Sequence, residues 1–172
     1  PAVTTQAKLE TFVNDLVDST LGVSTWSWVY ANGLTGNNSW RGADPAGDGI
    51  NNLKKYAFNM DPDRAYTGAD SILTPTGTSG LPLVTMVAEG GNQYLQITYV
   101  RRVNENSVSY TPQFSSNLAD PDGWQSATVL STVTPIDSLW ERVTVRDSLP
   151  QSAASARFGR LKVTTYYWMP QP

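Results

Sequence analysis

Cysteine and histidine are both absent from the 172-residue chain, and charged residues make up only 16% of it. Without cysteine there is no disulfide framework, no thiolate nucleophile and no cysteine-based zinc site. Without histidine the chain has neither a Ser-His-Asp triad nor histidine ligands for zinc, copper or iron. Long apolar runs are missing as well, since no stretch approaches the roughly 20 apolar residues that a membrane-spanning helix needs. We therefore expect no membrane span and none of these catalytic or metal centres.

The charge pattern and the acidic residues argue against two further classes of protein. Net charge is −3 at pH 7 and Lys and Arg form no block, whereas a nucleic-acid binder needs a basic stripe that displaces counterions. A glycosidase needs two carboxylates that face each other across a cleft, and no pair of acidic residues has a spacing that predicts one. Nucleophile-elbow, phosphate-loop and dinucleotide motifs are also missing. We therefore expect a protein that binds no nucleic acid and is not an enzyme.

The abundant residues are typical of a secreted β-protein. Hydrophobic residues make up 40% of the chain, with six Trp and eight Tyr, which is enough to fill a core. Ser, Thr, Asn, Gly and Pro are frequent, and such a polar, uncharged surface rich in turn formers favours strands. The chain starts at Pro1, which we interpret as the start of a processed or excised part of a longer protein. We expect this protein to be extracellular or attached to the cell surface.

Two short patterns open the chain. Residues 9–17 carry one apolar stripe at helical spacing, which predicts an N-terminal helix. The stripe consists of Leu9, Phe12, Val13, Leu16 and Val17. Further on, Trp26, Trp28 and Tyr30 occupy every second position, and this alternation predicts a strand.

The next part of the chain combines a loop, a short helix and a longer irregular stretch. Residues 43–63 hold a tight Gly-rich loop followed by apolar residues at helical spacing, so we expect a loop closed by a short helix. Residues 67–82 are rich in Thr, Gly, Ser and Pro and are predicted to form a loop or linker. Together with the N-terminal helix, the loop-helix element completes a segment that we assign to residues 1–66.

From residue 83 onward the pattern changes to strands. Six segments with apolar residues on one face are separated by turn residues: 83–87, 94–101, 107–115, 126–133, 139–146 and 157–165. This arrangement argues for an antiparallel β-sandwich. The predicted fold is therefore mainly β, with a sandwich over residues 83–172 and the preceding helical elements packed against it as one compact unit.

Two stretches of sequence resemble accessory modules of large secreted bacterial proteins. Asp44 to Leu53 (DPAGDGINNL), continued by Tyr56-Ala57 and Asp61-Pro62, resembles the EF-hand-like or thrombospondin-3-like segment DPDGDGxxNLxEYAxxxDP of Verrucomicrobia-like and planctomycete-like bacteria. The runs YLQITYVRR, VSYT, SSNL and RFGRLKV, which start at positions 94, 108, 115 and 157, resemble the β-module that usually follows. The resemblance implies a C-terminal, calcium-stabilised module beside a catalytic or adhesin domain, with a role in carbohydrate binding or surface attachment.

The Asp- and Gly-rich loop supplies only part of an EF-hand-like calcium site. The candidate ligands are Asp44, Asp48, the Ile50 carbonyl, Asn52, Asp61 and Asp63. Counted from Asp44 as position 1, position 3 is Ala46, and position 12, where a bidentate Glu belongs, is Lys55. In the alternative interpretation the loop keeps its turn and helix without a metal, while Asp48 and Asn52 cap backbone amides. The sequence leaves both readings open, with calcium as a hypothetical cofactor.

Aromatic side chains are the candidate ligand-binding residues, because sugars stack their C–H faces on Trp and Tyr rings. The candidates are Trp26, Trp28, Tyr30, Trp40, Tyr166 and Trp168. The alternative is that such aromatics pack in the core, and for Trp124 and Trp140 we favour packing. The exposure of these rings therefore distinguishes ligand binding from packing.

Arginines offer a route to acidic polysaccharides. Arg101 with Arg102, and Arg157 with Arg160, could bind sulfate or uronate groups. In the alternative, they pair with carboxylates of the chain itself, such as those of Asp147 and Glu141.

These observations favour a non-catalytic carbohydrate-binding module that anchors a larger secreted enzyme to a plant or algal cell-wall polysaccharide. The alternative is a structural, sorting or surface-attachment module that contacts a neighbouring catalytic or adhesin domain and has no sugar ligand. A binding module should leave at least two aromatic rings exposed, whereas a structural module should bury nearly all of them.

Overall fold

A computed structural model describes residues 25–127, 129–166 and 168. Within these residues the chain is mainly β, with two antiparallel sheets and two short α-helices, which confirms the predicted fold class. The elements are helices α1 (Thr25–Ala31) and α2 (Asn52–Ala57) and strands β1 (Leu83–Glu89), β2 (Asn92–Arg102), β3 (Val108–Ser115), β4 (Gln125–Ser126), β5 (Val129–Pro135), β6 (Trp140–Arg146) and β7 (Phe158–Thr165). In the described part of the chain, no helix is long and apolar enough to cross a membrane. The helix predicted over residues 9–17 lies outside the described residues.

The larger sheet has the strand order β1-β2-β6-β5, and the smaller has the order β4-β3-β7. β6 comes late in the chain but lies between β2 and β5, with Val143 opposite Tyr99. β2 is covered on both faces along its middle, since Ile97, Tyr99 and Val100 are all nearly inaccessible to solvent. Their β-branched and aromatic side chains fit such a buried central strand.

Side chains from both sheets share one hydrophobic core. The ring of Tyr99 in β2 stacks on that of Tyr110 in β3, with 5.9 Å between the centroids. A Cβ at Gly159 of β7 would lie 3.2 Å from the Phe114 side chain and 3.3 Å from that of Ile97. The missing side chain therefore allows β7 to lie close to Phe114 of its own sheet and to Ile97 of the larger sheet. The mutual burial of these apolar groups is the main force that holds the sheets together.

The predicted strand at 126–133 is two strands rather than one. β4 pairs with β3 in the smaller sheet, whereas β5 pairs with β6 in the larger sheet. The chain therefore crosses from one sheet to the other between residues 126 and 129.

The strand predicted for Trp26, Trp28 and Tyr30 is wrong, because these residues belong to helix α1. Thr25 and Val29, four residues apart, are the buried positions of this helix, with 4% and 0% of their surface exposed. A spacing of four residues places them on one helical face, as the period of 3.6 requires.

Residues 67–82 have little regular structure, but they are anchored to the core. A 3-10 turn spans Gly68–Ser71, and Ile72 forms an isolated parallel bridge with Leu81. Leu73 is 1% exposed, and the Gly80 amide donates to the Phe58 carbonyl at 3.1 Å. This segment therefore contributes a buried side chain to the core between α2 and β1.

Candidate functional site

The first candidate site is the loop before α2, which is closed by its own carboxylates. Asp44 accepts the backbone N–H groups of Asp48, at 3.1 Å, and of Gly49, at 2.7 Å. Gly47 and Gly49 have φ angles of 69° and 81°, a conformation that glycine adopts without steric cost. The predicted tight turn is thus present, and Asp44 satisfies backbone donors within it.

Asp48 lies at the centre of this loop with its side chain fully buried. Its carboxylate accepts the N–H groups of Ile50, at 2.8 Å, and of Tyr66, at 2.9 Å, and contacts the Lys55 ammonium at 3.0 Å. Burial raises the pKa of Asp48, but two backbone N–H donors and the ammonium outweigh it and lower the pKa from its ordinary 3.8 to about 2. Asp48 is therefore an ionised group that ties the loop to residue 66 and to α2.

The Lys55 ammonium is equally buried and is surrounded by oxygen atoms. Besides Asp48, it contacts the carbonyl oxygens of Pro62, at 3.2 Å, and of Arg64, at 2.9 Å. The ring of Tyr66 lies 5.5 Å away and adds a cation–π contact. An ammonium has three N–H donors, and the three oxygens match that number.

The other predicted metal ligands do not converge on this point. Asn52 donates to the carbonyls of Asn38 and Trp40, at 2.7 and 2.8 Å, instead of capping an amide. Asp61 is exposed and accepts the N–H of Asp63, itself exposed, at 2.9 Å. Across residues 25–127, 129–166 and 168, no group of three or more acidic side chains is placed to hold a metal ion.

Two residues of this site were not predicted from the sequence. Asn51, not Asn52, caps α2, and its side chain accepts the Lys54 N–H at 3.1 Å. Its position immediately before the apolar residues of the helix was the available signal. Tyr66 was missed because its backbone N–H, rather than its side chain, binds Asp48.

The predicted aromatic ligands fall into two groups, and the first group packs inside the molecule. Trp28, Tyr56 and Trp168 contact one another edge to face, with ring centroids 5.6 to 6.3 Å apart. The indole N–H of Trp168 donates to the Ser39 carbonyl at 2.8 Å. Trp28 and Trp168 are thus partly buried and pack against the core, which is the alternative considered for such aromatics. Trp26 is half-buried on α1.

The second group is exposed. Its members lie on segments that contact Trp168 or precede it directly in the sequence. Tyr30 is 79% exposed, Trp40 is 50% exposed and Tyr166 is 72% exposed. Trp40 follows Ser39, whose carbonyl binds the Trp168 indole, and its own carbonyl accepts the Asn52 amide. We call Tyr30, Trp40 and Tyr166 the exposed aromatic group.

The aromatic residues for which packing was favoured are indeed covered by other groups. Trp140 is 5% exposed, and the Arg102 guanidinium lies 4.4 Å from its ring centroid and 4.2 Å from that of Tyr56. Trp124 is half-buried beneath the Arg160 guanidinium, at 4.0 Å. Both rings thus act as packing surfaces for arginine.

Of the four arginines considered as ligands for acidic polysaccharides, the other two pair with carboxylates of the chain itself. Arg101 contacts Glu141 at 2.6 Å, and Arg157 contacts Asp147 with two nitrogens, at 2.6 and 2.8 Å. Arg157 and Asp147 are almost fully buried. Arg157 is therefore not an open site for sulfate or uronate, whereas Arg101 pairs through its Nε and keeps 38% of its side chain exposed.

An apolar groove of about 460 Å³ lies between α2 and the outer strands of the two sheets, β1 and β7. Its apolar lining includes Leu53, Phe58, Val84, Leu161 and Val163. Val84 is 45% exposed, so part of this lining contacts solvent.

Comparison with known proteins adds no assignment: no family model matches the chain, and no curated protein or solved structure is significantly similar to it.

Proposed function

We propose that the chain is a non-catalytic carbohydrate-binding module of a secreted protein and that the exposed aromatic group holds the polysaccharide. Trp40 is the observation that carries this proposal. Half of its surface faces water, although exposing a large apolar ring is unfavourable. A ring kept in that position provides a flat apolar surface for the C–H face of a sugar.

The backbone around Trp40 is already fixed, which favours binding. Its carbonyl accepts the side chain of the fully buried Asn52, and the preceding Ser39 carbonyl accepts the Trp168 indole. A segment that is held in place loses little conformational entropy when a ligand binds. Tyr30 and Tyr166 supply two further rings from neighbouring segments.

The test is affinity electrophoresis through gels that contain xylan, β-glucan, mannan, pectin or alginate. We expect at least one of the neutral glycans to retard the chain, and Trp40→Ala to weaken that binding about tenfold or more, which corresponds to roughly 1.4 kcal/mol. Leu118→Ala is the matched control, because Leu118 is an exposed apolar residue outside the exposed aromatic group. Thermal melting of each variant checks that it remains folded.

Two results would contradict the proposal. If no glycan retards the chain, carbohydrate binding fails. If Trp40→Ala and Leu118→Ala behave alike while the chain is retarded, the exposed aromatic group is not the binding surface.

A structural module that contacts a neighbouring domain of the same polypeptide is the second candidate, and the apolar groove between β1 and β7 favours it. Among the described residues both strands are outer strands of their sheets, and such edges, together with partly exposed apolar residues, suit contact with another protein segment. If the groove is open in solution, it should bind the apolar dye ANS, and Val84→Ser should weaken that binding. Absence of dye binding would remove the basis for this candidate.

A further inference from the structure

Three oxygen atoms from two segments of the chain converge on the Lys55 ammonium. They are a carboxylate oxygen of Asp48 and the carbonyl oxygens of Pro62 and Arg64, all within 3.2 Å. The side chains of Lys55 and Asp48 are both fully buried. Buried polar atoms of this kind require partners, and here the partners of the oxygens include a cation.

The chemistry of these oxygens is that of a calcium site. Calcium is bound in proteins by carboxylate and backbone carbonyl oxygens, and the twelfth position of an EF-hand-like loop normally supplies a bidentate Glu. Counted from Asp44, the twelfth residue is Lys55. A positive charge thus stands where such loops place a negative one, and the residues present do not fit a dication.

We propose that the Lys55 ammonium takes the place of calcium in this loop as a covalently attached cation. It neutralises Asp48 and holds the loop and α2 to residues 62–66, which is the mechanical task of the metal in a calcium loop. The fold accordingly requires no calcium, and a dication is excluded because it would lie beside the ammonium. This inference is independent of carbohydrate binding.

The first test uses the unmodified chain. We expect its melting temperature in EDTA and in 5 mM calcium chloride to agree within about 1 °C, and isothermal titration to detect no calcium binding at millimolar concentration. Calcium binding, or a melting temperature that falls in EDTA, would overturn the proposal.

The second test compares two adjacent lysines of α2. Lys54 is exposed and Lys55 is buried, so Lys54→Met is a matched control for Lys55→Met. Breaking a buried pair leaves an uncompensated charge on Asp48 and is strongly destabilising, so we expect Lys55→Met to lower the melting temperature by about 10 °C or more. Lys54→Met should change it by no more than about 2 °C. Equal effects of the two substitutions would contradict the assigned role.

The third test restores the acidic residue at the twelfth position. Lys55→Glu removes the internal cation and places a carboxylate among the same oxygens, so we expect the stability of this variant to rise with the logarithm of the calcium concentration once the site is filled. Magnesium should act more weakly, because it demands near-ideal octahedral geometry. A Lys55→Glu variant that folds but does not respond to calcium would show that these oxygens do not form a cation site. If this variant does not fold, the tests on the unmodified chain and on Lys55→Met still decide.

Discussion

The burial of the side chains, rather than the distance between the charged atoms, decides how much each ion pair of this molecule matters for stability. Arg64 and Asp70 approach to 2.8 Å, but their side chains are 57% and 66% exposed, and an exposed pair contributes little. Asp48 and Lys55 approach to 3.0 Å with both side chains fully buried. Their backbone partners satisfy the remaining lone pairs and protons, which is the condition under which a buried pair is tolerated.

The stability that Asp48 contributes should depend on pH. Its pKa in the folded chain is about 2, below the ordinary value of 3.8, so the contribution is fully present above pH 4 and is lost as pH falls through 2. In the Asp48→Asn variant this contribution is absent. We expect the difference in unfolding free energy between the unmodified chain and Asp48→Asn to shrink by roughly 2 kcal/mol between pH 5 and pH 2. Urea denaturation at each pH measures it.

The same substitution in the exposed pair is the control. Asp70→Asn should leave the unfolding free energy within about 0.5 kcal/mol of the unmodified value at each pH. A difference for Asp48→Asn that does not change with pH would contradict the lowered pKa of Asp48.

At the scale of single residues, turns could be predicted from the sequence more reliably than the burial of side chains. Asp44, Gly47 and Gly49 indicated a tight loop because their backbone preferences are local. Lys54 and Lys55 are identical in type, and only the rotation of α2 relative to residues 62–66 decides which of them is buried. The same holds for Trp28 and Trp40, since exposure depends on contacts that are distant in sequence.

Helix α1 shows how an element can be mistaken when its pattern is short. Five residues with aromatics at every second position are compatible with a strand, but a helix of seven residues buries Thr25 and Val29 instead. Longer alternations of apolar residues in the sequence predicted strands correctly, as for β2 and β6. The division of the predicted strand 126–133 between the two sheets is set by pairing partners, which local patterns do not encode.

The anchored segment before β1 depends on one glycine. Gly80 has a φ angle of 133°, and a Cβ there would lie 2.7 Å from the Leu73 amide nitrogen and 2.9 Å from the Ile72 carbonyl carbon. These are backbone atoms next to a buried side chain, so they cannot move freely. We expect Gly80→Ala to lower the unfolding free energy by about 2 kcal/mol or more, measured by urea denaturation.

Gly42→Ala provides the comparison for that substitution. A Cβ at Gly42 meets no other atom within 4 Å, and its effect should stay within about 0.5 kcal/mol. If Gly80→Ala is as mild as Gly42→Ala, the contact between residues 72–73 and 80 is not rigid.

For the whole molecule, the decisive feature is that the loop-helix element and both sheets share a core. Phe58, just after α2, packs against Tyr110 of β3 with 6.3 Å between ring centroids, and the Tyr110 hydroxyl donates to the Ala57 carbonyl at 2.9 Å. The mainly β class was predictable because alternation is local. The strand order was not, since β6 between β2 and β5 results from pairing over long sequence distances. The predicted sandwich packing stays a prediction.

A shared core predicts that the loop-helix element and the sheets unfold together. In urea, far-UV circular dichroism follows the strands, whereas tryptophan fluorescence follows all six tryptophans, among them Trp28 beside Tyr56 of α2. We expect one transition with the same midpoint for both signals. Tyr110→Phe removes the hydrogen bond to Ala57 and should lower the unfolding free energy by about 1 kcal/mol, with both midpoints shifting equally. Tyr30→Phe, at an exposed tyrosine, should shift neither. If fluorescence changed at a lower urea concentration than circular dichroism, α2 and its loop would be a separate folding unit, and the core would not couple them to the sheets.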